Sequence, residues 1–370
     1  MTDYFVWIIL HLGAWALILL ASAGAGVLFL RNCRFDSLLE RAVFTIAAGM
    51  GCWGVLLFLL GLAGLLYSSV IIGLTVAAAA ATVVYLLRTN RHVRFKLPDW
   101  REHIRPRGLL IASVFIIGVI YWLLLLLLTQ YPPMNWDSVA YHLVLAKEYL
   151  RNHSIIVHDG IAVPVVPALN HILFTWGLAM KDDVMAHMIE HTFLMLTALG
   201  TYAWGRRQNQ PWMGLAAAAL WLGHPLIVWL GEAAYVDLGV TGFVFLGLYA
   251  LRVFWESREV KWWYLAMSLL GMAAAVKLPG LFFAALASAL GLWVLLRPRI
   301  KWGRLRSLMR SDHAEQKDSI FTWRPLVLGW ALALFFTAPF YGFIAYATGN
   351  PFWPGFPELS QGIWQVGAET

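Results

Sequence analysis

Charge and cysteine are what this 370-residue chain is short of. Asp, Glu, Lys and Arg make up 13% of it, where soluble globular domains carry about a quarter. So little charge cannot clothe a soluble surface, and the chain falls in the membrane class. The two cysteines, Cys33 and Cys52, lie on a short basic loop and inside an apolar run, which excludes a disulfide framework and a cysteine metal site. Internal repeats and low-complexity segments are absent too. What the chain has instead is apolar surface: 61% hydrophobic residues, 20 tryptophans and a mean hydropathy of +0.69. A hydrocarbon core about 30 Å thick needs roughly 20 apolar residues per helix, and the sequence supplies such runs repeatedly.

The pattern predicts an all-α polytopic membrane protein with about ten transmembrane helices in a single domain, residues 1–370. The spans are Tyr4–Leu30, Ala42–Tyr67, Ser69–Leu87, Leu109–Thr129, Val184–Trp204, Trp212–Leu230, Val236–Phe254, Trp263–Val276, Leu281–Leu296 and Pro325–Ala347. The eighth is short and is expected to continue past Lys277 and Pro279. The first lacks a basic n-region, carries Asp3 and is too long for a signal peptide, so it is read as a retained helix despite Ala21-Ser22-Ala23.

Lysine and arginine are unevenly placed. If the loops after the odd-numbered spans face the cytoplasm, they hold 23 of the 27 cations, leaving Lys147, Arg151, Lys181 and Lys277 for the other side. The positive-inside rule then puts both termini outside the cytoplasm. The basic runs, including the loop 297–324, become topology signals against anionic lipid, and nucleic acid is excluded as a partner. Of the 20 carboxylates, 11 fall at or near the outer face, so a site is expected there.

The longest polar interruption on that face is the loop 131–183. After Pro132-Pro133 it places Trp136 and Asp137 before a run with Val139, Leu143, Ala146 and Leu150 at helical spacing, read as an amphipathic helix lying in the interface. Asp137 fits two roles: helix N-cap, or a fixed carboxylate able to take a proton from an acceptor hydroxyl. Trp136 and Tyr141 offer stacking faces to a sugar. Further on, Glu232 and Asp237 sit at a membrane boundary, where acids are costly and often functional; for Asp237 the plain reading is again a helix cap. Lys277, in AAAVKLPG, is either a snorkelling lysine or a point charge for a lipid-borne phosphate. His142, His153, His158, His171, His187 and His191 crowd one segment. Within it, His187 to His191 spell H-x-x-E-H, a zinc-peptidase pattern here placed at a membrane entry. A divalent cation held by some of these groups is the expectation that pattern leaves open. Gly349–Pro354, GNPFWP, reads as an interfacial turn.

Taken in order, WDSVAYHLVLAKEYLRNH (136–153), KDDVMAHMIEH (181–191), AYVDLGVTGFVFLGLYAL (234–251), GMAAAVKLPG (271–280) and GNPFWP resemble bacterial membrane glycosyltransferases of the GT-C superfamily, the branch related to dolichyl-phosphate-mannose protein mannosyltransferases. The resemblance covers roughly 109–354. It implies a multi-helix fold in the bacterial inner membrane, a catalytic acid in the first large outer loop, a polyprenyl-phosphate sugar donor and transfer with inversion on the extracytoplasmic face. Asp137 matches the loop acid, Asp237 the later outer-end acid and Lys277 the lysine of the glycine- and alanine-rich helix; Trp136, Tyr141 and His142 accompany them as substrate-binding candidates. The chain departs from such proteins in two ways. It ends soon after the GNP turn, as if truncated, and Pro339-Phe340-Tyr341-Gly342-Phe343 stands where a Trp and an Arg-Asn pair are usual. Those departures suit an alternative: a non-catalytic subunit, derived from the same scaffold, within a larger membrane complex. A transporter would want charges at mid-membrane, whereas these sit at span ends.

Overall fold

The computed structural model describes residues 2–89, 106–157, 160–161, 163–296 and 322–360. Among them there are helices and turns and no strands. Four long helices come first: α1 (Thr2–Phe29), α2 (Leu38–Leu62), α3 (Ser68–Thr89) and α4 (Pro106–Leu128). The loop then contributes a π-helical turn (Ser138–His142), α5 (Leu143–Arg151) and α6 (Leu169–Met180). The second half is α7 (Val184–Arg207), α8 (Pro211–Gly223), α9 (Pro225–Gly231), α10 (Asp237–Ser257), α11 (Val260–Val276), α12 (Leu278–Leu296) and α13 (Trp323–Thr348).

Each of the ten expected spans is largely helical. Among the described residues, six helices (α1, α2, α3, α10, α12 and α13) are long and apolar enough to cross a membrane, and a seventh arises if α8 and α9 are one span broken by 70°. The break falls at His224, whose extended backbone (ψ 120°) precedes Pro225, a residue that cannot continue the α8 hydrogen-bond ladder. Of the others, α4 is 23 residues long and largely apolar, α11 has only 17 residues, and α7 carries His187, Glu190 and His191, all fully buried. Nor does the eighth span run on: α11 stops at Val276, Lys277 is extended (φ −156°, ψ 145°) and α12 starts afresh at Leu278. A Cβ on Gly280 would strike the Ala273 and Ala274 backbone, so glycine is what lets the two helices fold back so closely.

Apolar side chains face outward as well as inward. Ile117, Leu124, Leu334 and Phe335 are all more than half exposed, as lipid-facing residues are, so burial of apolar area does not distinguish the packed state here. Close backbone approach does. On α1 and α2, Gly26 lies against the Thr45 carbonyl and Gly49 against the Ser22 carbonyl, with no room for a side chain at either. Buried tryptophans find acceptors for their N–H groups: Trp53 on Ala21 O (3.0 Å) and Trp176 on Thr75 Oγ1 (2.8 Å).

The two ends of the bundle are chemically different. At the basic end, Glu40, 1% exposed, accepts from Arg207 (2.9 Å) and from the Tyr249 hydroxyl (2.7 Å), while the Arg207 guanidinium stacks on Trp262. This knot joins α2, α7, α10 and α11 with its charge compensated. At the opposite end, the loop helix α5 packs on α6 through Leu143, Leu145, Ala146 and Tyr149, all buried. That face differs from the expected stripe: Val139 is half exposed and Leu150 only partly covered. The π-helical turn ahead of α5 shifts the register and rotates Val139 outward.

Candidate functional site

Trp136 and Asp137 already have helical backbone, Asp137 at φ −60°, ψ −36°, and the Asp137 side chain makes no capping bond. The N-cap reading is therefore corrected: the carboxylate caps no backbone N–H of its own helix. It lies instead beside two phenols. The Tyr141 hydroxyl faces it from one helical turn on, and the Tyr235 hydroxyl faces the Asp137 backbone from the segment before α10. Burial, and after it the Asp137 charge, holds the Tyr141 phenol well above the usual tyrosine range. Tyr235 is raised too, by burial and by the carboxylates of both Asp137 and Asp237. Both tyrosines thus stay protonated donors between two acids.

Asp237 is the first residue of α10 and not its cap; its Oδ1 accepts from Lys277 Nζ at 2.8 Å. The two side chains remain 37% and 44% exposed, so the pair is open to a ligand. The break between α11 and α12 is what turns Lys277 toward α10. Nearby, the GNPFWP turn is held by Asn350, fully buried, whose Nδ2 donates to Gly355 O (2.8 Å) and Phe356 O (2.9 Å) and whose Oδ1 accepts from Phe352 N (2.9 Å). Gly355 approaches Leu278, the residue after Lys277, so the turn borders the site.

Behind Tyr141 lies a buried histidine pair. His142 Nδ1 and His171 Nε2 are 2.8 Å apart, one donating to the other, and the His142 ring packs against Tyr141 and Tyr235. Burial lowers the pKa of both histidines; the His171 and Lys277 charges lower that of His142 further. Their mutual bond needs at least one neutral ring.

The structure thus brings Asp137, Tyr141, His142, Asp237 and Lys277 to one end of the bundle, around Tyr235. Trp136 adjoins them in sequence but is 68% exposed. Glu232 stays apart: its carbonyl accepts from the Tyr131 hydroxyl (3.1 Å), and its side chain is not in the Asp237–Lys277 pair. His158 lies outside the described residues, and His153 stacks on Tyr67 at the α2–α3 turn. The H-x-x-E-H residues do not converge as ligands: His187 Nδ1 faces Thr129 O, and among the described residues both His191 ring nitrogens lack hydrogen-bond partners and no three His, Cys, Asp or Glu are grouped to hold a metal ion. Two participants were not singled out in the sequence. Tyr235 was legible as the aromatic two residues before Asp237, whereas Asn170, on α6, which donates to the buried Glu190 behind the Asp237 turn (2.5 Å), had no local signal.

Residues 163–308 match the dolichyl-phosphate-mannose-protein mannosyltransferase family. The match is a likeness to that family, in the second half of the described bundle. It covers under half of the chain and includes Asp237 and Lys277, while Asp137 and the loop helix precede it. An uncharacterized protein of Shigella flexneri is 28% identical over 87 residues, which is 24% of this chain and 44% of that protein. No solved structure matches significantly.

Proposed function

We propose that the protein transfers a sugar from a polyprenyl-phosphate donor to an acceptor hydroxyl at the loop end of the bundle, on the extracytoplasmic face of a bacterial inner membrane. The observation that carries this reading is the meeting, around Tyr235, of a carboxylate that caps no helix and an accessible lysine. Asp137 takes the acceptor proton as the acceptor oxygen attacks the anomeric carbon. The new C–O bond forms on the face opposite the phosphate, the C–O bond to phosphate breaks, and the lipid phosphate departs with the electron pair toward Lys277. Tyr141 and Tyr235, held protonated, orient Asp137 and offer hydroxyls and ring faces to the sugar.

The test offers purified protein a panel of polyprenyl-phosphate sugars and follows release of lipid phosphate. Asp137→Asn is expected to lower release at least about 100-fold, the scale of a lost general base. Release that survives the substitution would remove Asp137 from the mechanism. No release from any donor, with another membrane protein co-purifying at fixed ratio, would favour a scaffold subunit.

A further inference from the structure

Glu190 is a carboxylate in the middle of the packed helices, fully buried and, among the described residues, without an ion pair. Its partners are N–H donors. Oε1 accepts from Asn170 Nδ2 (2.5 Å) and Oε2 from the Leu238 backbone N–H (3.2 Å), with the Gly239 N–H beside it. Leu238 and Gly239 form the first turn of α10, a 21-residue helix, so Glu190 caps that helix from α7. Asn170 reaches it because position 239 is glycine: a Cβ there would meet the Asn170 amide. The next residue on α6, His171, bonds His142 of the π-helical turn before α5. One turn of α6 thus ties both halves of the candidate site together.

A helix N-terminus with free N–H groups attracts any anion, a lipid phosphate included. Here the protein's own carboxylate occupies it, and the turn so fixed begins with Asp237, which holds Lys277. We propose that Glu190 is a positioning residue of the site: it fixes the Asp237 turn, and through Asp237 the lysine that meets the donor phosphate. This rests on the glycosyl-transfer reading above and adds to it a third acid that never touches substrate.

The experiment is donor-saturation kinetics on full-length Glu190→Gln, which keeps shape and replaces one accepting oxygen with an N–H donor. The expected result is a rise of about tenfold in donor KM, the scale of a small misplacement, with kcat, acceptor KM and melting temperature in detergent nearly unchanged. In a Lys277→Met background, Glu190→Gln should add nothing further. Equal losses in every kinetic parameter with a lower melting temperature would reduce Glu190 to a structural cap and overturn the proposal, as would full additivity with Lys277→Met. Should Glu190→Gln not fold, Asn170→Ala removes one of its bonds and is expected to show the same donor-selective effect; an unchanged donor KM there overturns the proposal. Wild-type release abolished by Asp137→Asn, alongside a kinetically silent Glu190→Gln, would sink the positioning role and leave the reading intact. No wild-type release would sink both.

Discussion

Lys277 and Asp237 are each more than a third exposed, and an ion pair in that setting contributes at most about 1 kcal/mol to stability. Lys277→Met should therefore leave the melting temperature of the detergent-solubilised protein close to wild type while raising donor KM by more than tenfold, the loss of a charge-assisted phosphate contact of about 1.5–3 kcal/mol. A large stability loss with unchanged KM would make the lysine a fold residue. The histidine pair behaves oppositely, because it is buried. His142 and His171 both have pKa values below the ordinary 6.5, so the unfolded chain binds protons that the folded chain refuses. Stability is full above pH 6.5 and falls as pH drops below it, by up to about 1.4 kcal/mol per unit for each histidine. Melting temperatures measured from pH 7.5 to 5 should fall, and fall less steeply in a His142→Gln/His171→Gln variant. An equal slope in both would place the proton uptake elsewhere.

Among the elements, the GNPFWP turn gives the sharpest expectation. Asn350→Ala would leave the Gly355 and Phe356 carbonyls and the Phe352 N–H without their partner, at about 1–3 kcal/mol for each buried group that water cannot reach. A fall in melting temperature, with a higher donor KM because the turn borders Leu278, is the expected outcome; an unchanged melting temperature would show the turn to be held from elsewhere. The turn itself was legible in Gly-Asn-Pro, but its neighbourhood was not, since nothing local says that Gly355 meets Leu278. The same limit explains the rest. Helices were legible from apolar runs, yet α7 reads as a lipid-crossing span only until His187, Glu190 and His191 prove buried against protein, a fact of packing. Asp137 at a helix start looks like a cap until the π-helical turn moves the start back to Trp136. Tyr235 and Asn170 reach the site from segments 98 and 33 residues beyond Asp137 in the sequence, and no period connects such distances.

At the scale of the whole molecule, the bundle has one end rich in arginine and one carrying the candidate site, and the proposed reaction depends on which faces the cytoplasm. α7 runs between them: Lys181, just before it, and Gln210, just after it, are both exposed. Charge supplies the expectation: if all ten spans read in the sequence cross, 23 of 27 lysines and arginines fall in loops on the Gln210 side, an excess that the insertion machinery reads as cytoplasmic. Single cysteines at Lys181→Cys or Gln210→Cys, in a background with Cys33 and Cys52 changed to serine, report the orientation directly. With a membrane-impermeant maleimide, intact spheroplasts should label the first and spare the second until the membrane is opened. The reverse pattern would place Asp137 and Lys277 in the cytoplasm, where a donor would have to present its sugar on the inner leaflet. Labelling of both in intact spheroplasts would mean that α7 does not cross. α7 is the helix on which this matters most, because its buried Glu190 rules out a bare lipid-facing span and leaves its course to be set by the helices packed around it.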